Sequence, residues 1–198
     1  MAAWETILAA LWLFLPAYVA NMSPVFSSKL FPKWNQPIDG GRLHKDGKRL
    51  LGDGKTWRGL VGGGLAAGGT AVALAYGAAG PFAAYDFGHP ESAWWLVFLF
   101  GFTVGFVALV GDAVESYFKR RSGRDRGAPW FPFDQLDFVV FGLAAMFAAG
   151  PLLLADGWLW WALTHDWIIL TTILVGTPGL HLLINRIGYW LKLKDVPW

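Results

Sequence analysis

Residues 93–121 read AWWLVFLFGFTVGFVALVGDAVESYFKRR. From Ala93 to Val110 nothing is charged, and from Gly111 onward acids and bases crowd into a few turns. At about 1.5 Å per residue, an uninterrupted apolar run of this length crosses most of a hydrocarbon layer roughly 30 Å thick. A soluble amphipathic helix would instead alternate an apolar stripe with a charged face. The stretch therefore reads as a membrane-spanning helix whose polar extension runs to about Arg121, stopped by Gly123, and emerges at one surface.

The rest of the chain has the same character. Of its 198 residues 55% are hydrophobic and 15% charged, with 13 Trp and no Cys; soluble domains are about a quarter charged. The absence of Cys excludes disulfides, thiolate metal sites and cysteine nucleophiles. Four further apolar runs, Trp4–Ala20, Trp57–Tyr76, Phe138–Leu154 and Trp167–Ile184, raise the number of expected spans to five. No Lys or Arg precedes the first, so it reads as a retained helix and not a signal peptide.

The basic residues set the expected topology. Lys29, Lys33, Arg42, Lys45, Lys48, Arg49, Lys55 and Arg58 lie between spans one and two. Lys119, Arg120, Arg121, Arg124 and Arg126 lie between three and four, and Arg186, Lys192 and Lys194 follow span five. The other face has Glu5, Asp86, Glu91, Asp156 and Asp166 with no base. The positive-inside rule then places the N-terminus outside and the C-terminus in the cytoplasm. Trp4, Trp57, Tyr76, Trp94 and Trp167 at span ends suit interfacial belts. The expected fold class is an all-α integral membrane protein of five transmembrane helices, a single polytopic domain over residues 1–198, with cytoplasmic loops forming a polar active site. The connection Asn21–Thr56 is expected to lie along the cytoplasmic interface. Gly59, Gly63, Gly64 and Gly68 in span two are expected to pack against neighbouring helices.

Two stretches carry chemistry. Residues 50–59, LLGDGKTWRG, imitate the end of a P-loop. A Walker motif needs glycine five places before Gly54, where Arg49 stands, and a preceding strand, which is absent. The run also half-matches D-x-x-D-G-x-x-A-R of CDP-alcohol phosphatidyltransferases, but Leu50 replaces the first Asp and Trp57 the Ala. With span two running from cytoplasm to outside, the stretch instead marks a helix N-terminus, where free N–H groups and the dipole favour an anion. Gly52, Asp53, Gly54, Lys55, Thr56 and Arg58 are the candidate nucleotide or phosphate contacts, with Thr56 able to cap the helix. An interfacial anchor is the plainer alternative.

The second stretch is residues 111–138, GDAVESYFKRRSGRDRGAPWFPFDQLDF. Asp112, Glu115, Ser116 and Lys119 fall on one helical stripe, and Asp134 and Asp137 share a face at the next helix start. Facing pairs of acids without His or Cys suit a hard divalent cation, Mg²⁺ above others. Equally, Asp112 and Glu115 could pair with Lys119 and Arg120 along the helix, and Asp134 could be only a cap. The histidines, His44, His89, His165 and His181 beside Asn185, carry less weight.

The run Gly111, Asp112, Ser116, Lys119 and Arg120, G-D-x-x-x-S-x-x-K-R, is followed by Ala128-Pro129 and by Pro132-Phe133-Asp134-Gln135-Leu136-Asp137. Together with GDGKTWRG it resembles the CDP-archaeol synthase family of archaeal membranes, itself similar to CDP-diacylglycerol synthases. The resemblance spans nearly the whole chain. It implies transfer of CMP from CTP to an archaeal ether-lipid phosphate, 2,3-bis-O-geranylgeranylglycerol 1-phosphate, with Mg²⁺ and release of pyrophosphate. By this resemblance Asp112, Asp134 and Asp137 would hold the metal, Glu115 would stand further out, and Lys119, Arg120, Lys55 and Arg58 would meet phosphates, with Ser116 alongside. Gln135 replaces the Arg of the bacterial D-R-x-D ending, and Ala128–Pro132 replaces P-G-H-G-G, which separates the chain from CDP-diacylglycerol synthases. A phosphatidyltransferase is the enzymatic alternative and a small transporter the alternative of another class. A transporter would place ionisable groups near the midplane, whereas the span centres are uncharged. No nucleic-acid partner is expected, and no oligomeric state is marked.

Overall fold

The protein is described by a computed structural model covering residues 3–77, 93–125, 128–154 and 158–192. Four long helices come first: α1 (Ala3–Leu30), α2 (Trp57–Gly77), α3 (Trp94–Arg121) and α4 (Phe133–Leu153). A short α5 (Trp158–His165) precedes a fifth long rod, in which α6 (Trp167–Thr171), a π-helical turn (Thr172–Gly176) and α7 (Thr177–Trp190) are continuous. Five helices are thus long and apolar enough to cross a membrane, as expected from the apolar runs.

Several bounds differ from the apolar runs, among them the last rod, which continues to Trp190 beyond Ile184. The first helix runs to Leu30, ten residues beyond Ala20. Hydrophobicity ends near Asn21, but hydroxyls then serve the helix backbone: Ser23 Oγ donates to Val19 O and Ser28 Oγ to Val25 O, both at 2.7 Å. The fourth begins at Phe133, ahead of the apolar run from Phe138, so that Asp134 and Asp137 stand at the helix start as their spacing implied. The short α5 lies in what reads as a loop; it is too short to span. Asp166, counted only as an outer acid, caps α6 by accepting from Ile168 N at 3.0 Å. Asp86, His89, Glu91, Arg126, Asp156 and Lys194 lie outside the described residues.

The central helix α3 packs against α1, α2 and α4. Phe14, Phe100, Phe138, Met146, Val97 and Val104 are fully buried at its centre. Between α2 and α3 the glycines have a steric role. A Cβ at Gly64 would stand 2.8 Å from the Phe102 ring, and one at Gly68 2.9 Å from Phe98 O. Gly63 meets α1 where Pro24, lacking an N–H, leaves Ala20 O without its helical donor; a Cβ there would come 3.1 Å from that oxygen. The small residues of span two therefore serve close helix approach, in keeping with their spacing. Trp4, Trp57, Tyr76, Trp94 and Trp167 all lie exposed at or near helix ends.

Candidate active site

The segment linking α1 to α2 folds into nested turns. An outer antiparallel bridge joins Pro37 to Thr56 and an inner one joins Leu43 to Arg49, with Asp46-Gly47 at the tip. The organising residue is Asp39. Its Oδ1 accepts from Gly41 N and from Arg49 Nη2, at 3.0 and 2.8 Å. Its Oδ2 accepts from Leu51 N and Gly52 N, at 3.0 and 3.1 Å. Arg121 at the end of α3 pins the same turns, donating from Nη2 to Arg49 O at 2.6 Å with Nε 3.2 Å from Asp46 Oδ2. The Asp39-Gly40-Gly41 sequence is a turn signal visible in the chain, because an Asp side chain readily accepts from the amide two residues on. The long-range bonds to Leu51 and Gly52 had no such signal.

Burial opposes ionisation of Asp39, but the Arg49 guanidinium and three backbone amides outweigh it and hold the carboxyl well below the usual range. A depressed folded-state pKa stabilises the turns fully above the unfolded value of about 4 and loses that contribution as pH falls through the folded one. Proteolysis between Gly41 and Gly52 should thus be slow and pH-independent near neutrality and accelerate only in acid below about pH 4. In Asp39→Asn it should be fast already at pH 7. Equal cleavage rates in the two proteins at pH 7 would exclude this anchoring role.

The turns deliver Lys55 to the neck of α2. Thr56 caps that helix, its Oγ1 accepting from Gly59 N at 3.2 Å. Lys55 Nζ donates to Asp112 Oδ2 at 2.5 Å, joining α2 to α3. On α3, Glu115 is buried and Ser116 Oγ lies 3.5 Å from its Oε2. Lys119 is also buried, with Nζ 3.8 Å from Glu115 Oε1 and bonded to Asp134 of α4. Asp134 Oδ2 accepts in turn from Trp130 N at 2.6 Å.

Among the described residues, Asp112, Glu115 and Asp137 offer carboxylate oxygens all within 4.8 Å of one another. Glu115 Oε1 is buried and has no hydrogen-bond partner among the described residues. With Asp134, these acids outnumber the ammonium groups in contact with them, Lys55 and Lys119. Such a set, all oxygen and short of positive charge, fits a hard divalent cation. Two hollows meet at the cluster. One of about 220 Å³ is lined by Asn21, Gly54, Lys55, Thr56, Asp112 and His181. The other, about 490 Å³, is an apolar groove between α3 and α4, lined by carbon atoms that include those of Glu115 and Asp137.

The structure thus brings together Lys55, Asp112, Glu115, Ser116, Lys119, Asp134 and Asp137, with Gly54 and Thr56 on the wall of the smaller hollow. Asp134, grouped from sequence with Asp112 and Asp137 as a metal ligand, bonds Lys119, the Trp130 amide and the Glu115 carboxyl, and it is Glu115 whose oxygens lie among those of Asp112 and Asp137. Gly52, at φ +95°, has its N–H engaged by Asp39. Asp53 is exposed and paired with Arg49, at 2.5 Å. The buried Arg58 binds Phe31 O at 2.7 Å and Asn35 Oδ1 at 3.2 Å, tying α2 to the end of α1. Arg120 Nε is buried without a hydrogen-bond partner among the described residues. His181 reaches the hollow from α7, 3.3 Å from Asn185 Nδ2 on its own helix.

A family model described as "CarS-like: CDP-archaeol synthase" matches residues 3–198. The chain belongs to the CDP-archaeol synthase family. It is 44% identical to the CDP-archaeol synthase of Halobacterium salinarum over 98% of this chain and 97% of that one. It is 42% identical to the CDP-archaeol synthase of Thermococcus onnurineus, covering 98% of each chain. A solved structure described as "Structural insight into an intramembrane enzyme for archaeal membrane lipids biosynthesis" superposes with a TM-score of 0.64 at 32% identity, over 90% of this chain and 94% of that one. The CDP-archaeol synthase match includes the turns that carry Lys55 and both acid-bearing helices, so the whole candidate site lies within it.

Proposed function

We propose that this protein is a CTP-dependent cytidylyltransferase that transfers CMP to 2,3-bis-O-geranylgeranylglycerol 1-phosphate, giving unsaturated CDP-archaeol and pyrophosphate. The observation that carries the reading, beside family membership, is the cluster of Asp112, Glu115 and Asp137 joined to Lys55, lying between a polar hollow and an apolar groove. The basic residues on the connections support a cytoplasmic site, an outer N-terminus and an inner C-terminus. The reading also makes the five helices and their connections one catalytic unit in the membrane.

The chemistry needs little beyond positioning and charge. A phosphate monoester, with a second pKa of about 6, is largely ionised near neutrality, so a lipid phosphate oxygen can attack the α-phosphorus of CTP without a catalytic base. The bond from the α-phosphorus to the bridging oxygen breaks, and pyrophosphate carries away that electron pair. The main obstacle is repulsion between anions. Asp112, Glu115 and Asp137 would hold Mg²⁺, which when bound neutralises phosphate charge and orients the reacting oxygens. Lys55 adds a positive charge on the wall of the polar hollow. Lys119, kept in place by Asp134, and Arg120 add positive charge beside the acids.

The test is product identity. Purified protein given labelled CTP, Mg²⁺ and the lipid phosphate should yield a lipid-linked CDP and one pyrophosphate per turnover. Release of labelled CMP from a CDP-lipid and an alcohol, with no pyrophosphate, would make it a phosphatidyltransferase instead.

A further inference from the structure

The turns between α1 and α2 are fastened to α3 at two places among the described residues. One is the Lys55 bond to Asp112. The other is Arg121, roughly 14 Å further along the helix axis. Its guanidinium donates from Nη2 to Arg49 O at 2.6 Å and holds Nε 3.2 Å from Asp46 Oδ2. It also lies over the Tyr117 ring, 5.2 Å from the centroid, and that ring meets His44 of the turns edge-on at 6.2 Å. An exposed ion pair alone contributes little. The Arg121 side chain, however, is only 17% exposed and grips a backbone carbonyl as well as a carboxylate.

From that carbonyl a continuous series of bonds leads to Lys55. Arg49 Nη2 donates to Asp39 Oδ1, Asp39 Oδ2 accepts from Gly52 N, and Gly52 O accepts from Lys55 N at 3.3 Å. Lys55 O accepts in turn from Ile38 N at 2.8 Å, beside Asp39. The place of Lys55 over Asp112 therefore depends on an anchor at the far end of the turns. Resting on the cytidylyltransferase reading, we propose that Arg121 is a positioning residue for the nucleotide: it fastens the turns to α3 and so fixes where Lys55 meets the phosphates of CTP, without touching either substrate. Use of CTP should respond to Arg121 and use of the lipid phosphate should not, because the series ends at Lys55 on the wall of the polar hollow.

In the full chain, Arg121→Ala should raise KM for CTP about tenfold, within the loss of about 10²-fold that a 1 Å misplacement can cause, and leave KM for the lipid phosphate unchanged. Arg121→Lys keeps a donor for Arg49 O but not the fork, and should recover most of the loss, to about threefold above wild type. Lys45→Ala, which removes a charge from the exposed tip of the same turns, should change neither KM. Calorimetric binding of CTP with Mg²⁺ separates indirect from direct action: in a Lys55→Ala background, Arg121→Ala should weaken binding no further. Arg121→Gln takes the place of Arg121→Ala if the alanine variant does not fold. An unchanged KM for CTP in the folded variant would overturn the inference. So would a rise in both KM values with a lowered thermal midpoint, or Arg121 and Lys55 losses in CTP affinity that multiply. In each of these cases the wild type still makes CDP-lipid; a wild type that makes none would remove the cytidylyltransferase reading, and this inference with it.

Discussion

Asp112→Asn and Asp137→Asn are each expected to lower the rate of CDP-lipid formation by about 10²–10³-fold with the fold intact, the usual loss when one preorganised charge-stabilising group leaves an active site. Both carboxylates stand within 4.8 Å of Glu115 and of each other, with Lys55 as the only ammonium group bonded to them among the described residues. An amide keeps the shape but withdraws a charge from the cation. Asp134→Asn should cost less, about 10–100-fold, the range for a group that orients another, since Asp134 engages Lys119 and the Trp130 amide. The measurement is labelled CTP incorporation over a range of Mg²⁺, alongside circular dichroism and thermal midpoint. If Asp134→Asn were the harsher change and raised the Mg²⁺ requirement while Asp137→Asn did not, Asp134 rather than Asp137 would hold the cation.

Lys55→Glu is expected to abolish turnover, by about 10³-fold or more, because it removes a cation and sets a fourth carboxylate against Asp112 in a half-buried site. Arg58→Ala should behave differently, although only three positions away. Its guanidinium bonds Phe31 O and Asn35 rather than facing the hollow. Losing bonds to a charged group costs about 1.5–3 kcal/mol. In a chain of this size that is a drop of roughly 3–12 °C in thermal midpoint. With folded protein at low temperature, kcat should be largely retained. Loss of CTP turnover in Arg58→Ala without loss of thermal stability would restore Arg58 as a phosphate contact, and near wild-type turnover in Lys55→Glu would reduce the GDGKT turn to an anchor.

The contrast between these neighbours shows how much of the site was legible. Helical periodicity alone put Asp112, Glu115, Ser116 and Lys119 on one stripe of α3, and α3 does run to Arg121 with Gly123 at φ +79° just beyond it. The same spacing was equally compatible with Asp112 pairing along its own helix. Its partner is Lys55, 57 residues earlier, which no local pattern could select. Lys55 and Arg58 looked alike as cations at a helix start; they point to different places because one precedes the Thr56 cap and the other, the second residue of α2, is turned toward the chain just beyond α1. Asp39 carried only a turn signal, and its hold on the Leu51 and Gly52 amides depends on how the turns close.

What the amino-acid sequence determined by itself is the set of five apolar rods, the gathering of the Lys and Arg at span ends and connections, and the class of chemistry near Gly111–Asp137. Those properties follow from length against hydrocarbon thickness and from the cost of burying charge, both of which accumulate residue by residue along the chain. Only the tertiary structure decided which acids meet. Glu115 joins Asp112 and Asp137 while Asp134 turns to Lys119, because the choice of partner depends on a few ångströms of approach between helices. That approach is set by small residues such as Gly63, Gly64, Gly68 and Gly111 at the contacts of α3, where a single Cβ would force the rods apart.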